Sequence, residues 1–268
     1  MGAASDLRKR RLRFRRSKPA ERSMTMVEHL DELRSRLIIS VAVFAAVSVV
    51  AFILYDPIFD FLLRPLCSLP PEKLGPQGCR LTQVQVLEGF QVRLKLTALV
   101  GLSVSSPVWL YQLWAFIVPG LEKREKRYAL PFMLTSVALF AAGATLAYLF
   151  LGTGLELLID LGGDALVPFF RADSYINFIG LMLIAFGLTF ELPLLLFFLG
   201  LVGVVTPQGL RRHRRAAIVG IVALAAVVTP SQDPYTLLAM SVPLYLLYEA
   251  TILLLALVLR RRRKAESL

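Results

Sequence analysis

The residues with the most to say about chemistry are acids placed where acids are costly. FGLTFELPLLLFF (Phe186–Phe198) carries a single charge, Glu191. A charge at the centre of a membrane-spanning helix costs roughly 2.5–3.5 kcal/mol on insertion scales. Glu191 therefore needs a partner, a proton or a water-filled cavity. Pro193 lacks an N–H and frees the carbonyl of Thr189, so a carboxylate, a hydroxyl and a free carbonyl lie within one turn. Two uses stay open: a helix–helix hydrogen bond inside the protein, or a site for an external partner or proton. Glu249, in LYLLYEATILL, is the only other acid well inside an apolar run, and two acids make a sparse proton wire.

The remaining acids of interest lie outside the apolar runs. MTMVEHLDELRSRL (24–37) spaces Leu30, Leu33 and Leu37 along one helical face, with Glu32 and Arg36 on the other. From that stretch alone, an interfacial helix with an i,i+4 ion pair is the expected reading. Glu125, in LEKREKRY, is surrounded by Lys and Arg and reads as part of a solvated ion-pair cluster. Cys67 and Cys79 both fall in the extracytoplasmic loop between the first two spans, where a disulfide is expected and two unpaired thiols are the alternative. His29 and His213 are the only histidines, which argues against a metal cluster, and HExxH, GxSxG and GxxxxGK are all absent. No cofactor and no enzyme chemistry are expected.

The elements that must position these residues are apolar helices. The 268-residue chain is 56% hydrophobic with mean hydropathy +0.65, above the roughly 45–50% of soluble domains. Six spans are expected, near Leu37–Tyr55, Val92–Phe116, Ala129–Leu151, Tyr175–Leu201, Ala216–Val228 and Tyr235–Leu259. Tyr55, Tyr111, Trp114, Tyr128, Tyr175 and Tyr235 lie at segment ends, as interfacial aromatic belts do. The fifth segment is short for a hydrocarbon core of ~30 Å. A locally thinned bilayer with Arg215 snorkelling accommodates it. No internal repeat is visible.

The net charge of +11 reflects topology and not nucleic-acid binding. Eleven basic residues precede Leu37, four lie at Lys123–Arg127, four at Arg211–Arg215 and five at Arg260–Lys264. Only six fall in the alternate segments. The positive-inside rule puts both termini in the cytoplasm. RRLRF near the N-terminus superficially resembles a double-arginine export signal, but the first apolar run begins too far downstream. Residues 1–23 read as a disordered basic tail near anionic lipid, 24–259 as the membrane domain and 260–268 as a second basic tail.

Four motifs in order resemble one family, TatC, the multi-spanning core of the twin-arginine protein translocase. They are HLDELRSRL, SPVWLYQLWAFIVPGLEKREKR, FGLTFELP and TPSQDPYTLLAMSVPLYLLYE. The match runs from about Met24 to Leu259. The resemblance implies an all-α integral membrane protein, a cup-shaped bundle of six helices with the last two spans short. It lies in the cytoplasmic membrane of a bacterium and receives folded cargo through twin-arginine signal peptides.

By position, Glu32 and Glu125 match the family's acidic residues that recognise the arginine pair, with Arg34 and Phe116 near the same surface. Carboxylates suit that task because guanidinium groups favour paired hydrogen bonds. Glu191 matches the family's fourth-span glutamate, a polar docking point for partner helices. The turn around Thr229 and Asp233 resembles the docking region for single-span TatA-type and TatB-type subunits. Leu237 departs from the Gln frequent in the family at that place. The implied protein is a receptor and scaffold driven by the proton motive force, with membrane lipid around it and further copies of itself in the complex. The competing expectation is a proton-coupled small-molecule transporter using Glu191 and Glu249.

Overall fold

The computed structural model describes residues 26–117, 129–163, 167–229 and 233–266. Glu125, Tyr128 and the tail 1–23 lie outside the described residues. The helices are α1 (Met26–Ile53), α2 (Tyr55–Cys67), α3 (Glu88–Val104), α4 (Ser106–Ile117), α5 (Ala129–Gly162), α6 (Ala172–Thr189), α7 (Leu192–Leu201), α8 (Pro207–Arg212), α9 (Arg214–Val228) and α10 (Pro234–Glu266). Two units are distinguished, divided within α1 between Ser35 and Arg36. No strand forms among the described residues, apart from an isolated parallel bridge between Thr82 and Arg171.

Four stretches are long and apolar enough to cross a membrane: His29–Ile53, Leu130–Gly162, Ala172–Leu201 and Pro234–Arg261. The α3–α4 pair makes a fifth if its two parts, bent by 52°, form one span. The bend has a covalent cause. Pro107 cannot donate to the carbonyl one turn back, so the helix breaks at Ser105. The Ser105 hydroxyl and the Trp109 indole N–H both donate to the Leu102 carbonyl, at 3.3 and 3.0 Å, and satisfy the loosened backbone there.

The last two spans were expected to be short, and the structure corrects half of that. α9 has 15 residues, about 22 Å of rise. It ends at Thr229, which precedes a proline and is extended. α10 has 33 residues, because its apolar run continues through Pro243 into the basic end. The helical backbone continues through Arg260–Lys264.

The aromatic belt also needs correction. Trp114 and Tyr175 are buried, at 5% and 4% exposure. Each ring carries one polar atom that finds a partner inside the protein: Trp114 donates to Ser136, and the Tyr175 hydroxyl donates to the Leu62 carbonyl at 2.9 Å. Tyr111, by contrast, is 48% exposed. α2 was not foreseen. Its sequence, YDPIFDFLLRPLC, mixes two Asp and two Pro with apolar residues, and it buries Leu62, Pro65 and Leu66 against the core.

That core gathers residues from α2, α3, α5 and α6, including Leu66, Leu96, Leu151, Ile176 and Phe186. α5 and α6 approach closely through two glycines. A Cβ on Gly143 would stand 2.7 Å from the Phe186 carbonyl oxygen, and one on Gly187 would stand 2.7 Å from the Phe140 ring. Small residues allow such approach where no hydrophobic force drives helices together in lipid.

The connections are tied by polar contacts. Cys67 and Cys79 are joined as a disulfide, with Cα atoms 5.0 Å apart. Lys73 reaches α5, at 3.0 Å from Glu156 and 2.7 Å from Asp160. These two carboxylates hold the Lys73 ammonium above the usual lysine range. The Glu88 carboxylate accepts from the Val84 and Gln85 N–H groups at 2.6 and 3.1 Å, and Arg171 lies 3.6 Å away.

Candidate functional site

The site is built on one face of α5. Ser136, Phe140, Gly143 and Ala147 recur at helical spacing and are all buried. The glycine contact presses that face against α6, so Ser136 lies opposite the end of α6 where Glu191 sits. There the chain breaks, α6 closing at Thr189 and α7 opening at Leu192. The Glu191 N–H donates to the Leu188 carbonyl at 3.1 Å, a tightened turn. Pro193 lies in the first turn of α7, where its missing N–H does no harm.

Glu191 is half-buried, and its Oε2 accepts from the Ser136 hydroxyl at 2.6 Å. Ser136 Oγ in turn accepts from the Trp114 indole N–H at 3.0 Å. Trp114 is held by Phe132 and Phe198, each with its ring centroid 5.5 Å away. The other carboxyl oxygen, Oε1, is buried with no hydrogen-bond partner among the described residues. No cation pairs with Glu191 among those residues. Next to it, Leu192, Pro193, Leu196, Gly220, Leu224 and Tyr248 line part of an apolar groove of about 360 Å³ between α7, α9 and α10.

Ser136 and Trp114 were not singled out from sequence. The spacing of Ser136, Gly143 and Ala147 is the signal that could have found Ser136, since a hydroxyl on a face that carries small residues is placed to meet a neighbouring helix.

The other expected residues fall elsewhere. The Thr229 hydroxyl donates to the Ala225 carbonyl of its own helix at 2.7 Å. Asp233 caps α10: its two carboxylate oxygens accept from the Thr236 N–H at 2.8 Å and the Thr236 hydroxyl at 2.6 Å. The Thr251 hydroxyl donates to the Pro193 carbonyl at 3.2 Å, which sets the level of Glu191 along α10. Asp233 caps that helix eighteen residues before Thr251, about 27 Å away along its axis. Glu191 and Asp233 are therefore two places and not one site.

In the N-terminal unit, Glu32 is half-buried and Arg34 exposed, while Leu30 and Leu33 are 64% and 42% exposed. Phe116 closes α4, half-buried in the main unit, where the Arg36 guanidinium also donates to the Gln112 side-chain oxygen at 3.1 Å. Glu125 lies outside the described residues. Glu249 is bound: Arg214 approaches one oxygen at 2.7 Å and the Tyr245 hydroxyl donates to the other at 3.0 Å. Among the described residues, no group of three His, Cys, Asp or Glu side chains is placed to hold a metal ion.

Comparison with known proteins agrees with this arrangement of helices. A family model described as "Sec-independent protein translocase protein (TatC)" matches residues 28–243. The Sec-independent protein translocase protein TatC of Frankia casuarinae is 46% identical over 248 residues, covering 90% of this chain and 68% of that protein. The protein of the same name from Corynebacterium kroppenstedtii is 36% identical, covering 85% of this chain; the chain spans 60% of that relative's length. A crystal structure of the twin arginine translocase receptor TatC in DDM superimposes with TM-score 0.71 at 38% identity, covering 85% of this chain and 99% of that one.

Proposed function

The chain belongs to the TatC family of Sec-independent protein translocase proteins, and from that premise we propose that it is the receptor for twin-arginine signal peptides of folded cargo and the scaffold on which single-span TatA-type and TatB-type subunits dock. It is a multi-pass membrane protein of the bacterial translocase. In this reading it crosses the inner membrane six times with both termini in the cytoplasm. It works in a complex with further copies of itself, uses the proton motive force and has no enzymatic step of its own. Glu32 and Glu125 recognise the arginine pair, and Arg34 and Phe116 also serve signal-peptide binding. Glu191 and the Thr229–Asp233 turn receive partner helices.

One observation carries the docking half of this reading. Glu191 has a buried oxygen without a hydrogen-bond partner among the described residues, the two residues that follow it line an apolar groove, and the stretch is long and apolar enough to span. A polar atom left unsatisfied at membrane depth is costly, and a helix bringing a hydrogen-bonding group would relieve that cost while burying its apolar side. The signal-peptide half is supported by the motifs around Glu32 and Glu125. The competing transporter reading loses support, because Glu249 is neutralised by Arg214 and leaves Glu191 without a second relay acid.

The test is binding. Membranes containing the chain should retain a twin-arginine signal peptide, lose it when both arginines become lysine, and yield single-span Tat subunits on copurification. Equal retention of the arginine and lysine peptides would defeat the receptor role.

A further inference from the structure

Ser136 is fully buried between partners on two other segments, Trp114 on α4 and Glu191 at the α6–α7 break. An indole N–H can only donate, so Ser136 Oγ is the acceptor of that bond. The hydroxyl has one proton, and Glu191 Oε2, at 2.6 Å, is its only acceptor among the described residues. Donation therefore runs one way, from Trp114 to Ser136 to Glu191. This commits Oε2 to Ser136 and leaves Oε1, buried and without a hydrogen-bond partner among the described residues, as the unsatisfied atom.

We propose that Ser136 is a positioning residue for Glu191, and that Trp114 orients Ser136, so that Oε1 is held ready for the hydrogen-bonding group of a partner helix. The proposal rests on the docking role given to Glu191 above and adds two residues that act through it. Its physical basis is preorganisation. A glutamate side chain free to rotate loses that freedom on docking, whereas one already held has less to lose. Each support is itself fixed: Trp114 by the rings of Phe132 and Phe198, and Ser136 by the Gly143–Gly187 approach that sets the spacing of α5 and α6. In a low-dielectric environment a short hydrogen bond such as this holds its geometry well.

The experiment uses the full chain, tagged and purified from membranes together with a co-expressed single-span Tat subunit. It measures the subunit retained per chain at matched membrane levels. Glu191→Ala sets the scale of loss. Ser136→Ala is expected to lower retention about three- to tenfold, the worth of one such hydrogen bond. Ser136→Thr keeps the hydroxyl and should restore most of it. In a Glu191→Ala background, Ser136→Ala should add nothing.

Wild-type retention by Ser136→Ala beside a clear loss in Glu191→Ala overturns the positioning role and leaves the docking reading intact. An additive loss in the double variant also overturns it, because a merely structural serine behaves that way. No loss in Glu191→Ala removes the docking reading and the positioning role with it. Should Ser136→Ala fail to accumulate, Trp114→Phe carries the same comparison. It removes the indole N–H and keeps a smaller aromatic ring at that place, and its loss should fall between those of the wild type and Glu191→Ala and vanish in the Glu191→Ala background.

Discussion

Arg214, at the start of α9, lies 2.7 Å from Glu249, well along α10. The pair ties the short helix to the long one at the end where α9 begins. The Tyr248 hydroxyl, donating to the Leu210 carbonyl at 2.9 Å, adds a second tie from α10 to the same turn. Glu249 thus has a structural occupation that a proton relay would have to abandon.

The first prediction follows from that occupation. Glu249→Gln should leave export of a folded twin-arginine reporter near wild type. The ion pair is partly exposed, with side chains at 46% and 23%, so its loss should cost no more than about 1 kcal/mol of stability. An export defect as deep as that of Glu191→Ala, at equal protein level, would restore the proton-relay reading.

Much of this arrangement is legible in the sequence, for physical reasons that differ by element. Long apolar runs announce the spans, and Pro193 announces the break beside Glu191 because a missing N–H is a covalent fact. Trp114 and Tyr175 mislead, since a ring near the end of an apolar run looks the same whether it faces the headgroups or a buried acceptor. α2 stays hidden because neither its length nor its mixed composition reads as a span. Ser136 is the hardest to see. One serine in an apolar helix gives no sign of its partner, which lies 55 residues away and is brought near only by α5–α6 packing.

The Lys73 contacts lead to a pH prediction. Asp160 and Glu156 raise the ammonium's proton affinity in the folded chain. A raised lysine contributes stability that is fully present below its ordinary value and is lost as pH rises through the folded one. Lys73→Gln should therefore melt below wild type at neutral pH, and the gap should close in strongly alkaline buffer. A gap that persists unchanged at high pH would show that the charge is not the cause. The group is at the surface, so the shift should be small.

The Cys67–Cys79 pair closes a loop of sequence separation 12, and it holds the stretch from which Lys73 reaches α5. The expected result is a protein resistant to thiol alkylation until reduced. The bond should be worth on the order of 3 kcal/mol to the order of that loop in the chain-entropy picture. Mass spectrometry finding both thiols alkylated without reduction would rule the pairing out. The double Cys→Ser variant should also lose much of the Lys73→Gln effect, because the loop that carries Lys73 is no longer held.

Glu32→Ala and Glu125→Ala should each weaken crosslinking to a twin-arginine signal peptide while leaving membrane insertion normal. A charged hydrogen-bonding partner lost from such a contact costs about 1.5–3 kcal/mol, roughly a tenfold or greater drop in affinity. The double variant should bind no better than the lysine-pair peptide binds the wild type. Unchanged crosslinking in the double variant would remove both residues from the recognition surface.

Glu191 itself gives the sharpest contrast. Its Oε2 accepts from Ser136, and a glutamine at this position can keep that acceptor with its side-chain oxygen. The glutamine amide puts a donor where Oε1 was and so suits a partner group, such as a hydroxyl or a side-chain amide, that can accept as well as donate. Alanine removes both atoms and leaves the Ser136 hydroxyl without its acceptor in a buried setting, which costs about 1–3 kcal/mol. If Glu191 works as a hydrogen-bonding group for a partner helix, Glu191→Gln should keep much of the export activity and Glu191→Ala should lose most of it. If it carried protons, glutamine would be nearly as damaging as alanine, because an amide cannot be ionised at working pH. The measurement is export of a folded twin-arginine reporter by both variants at matched membrane levels. Equal and complete loss in both favours proton transfer. Wild-type export in both leaves Glu191 without a docking role, since a carboxyl dispensable in either form is not what a partner helix binds.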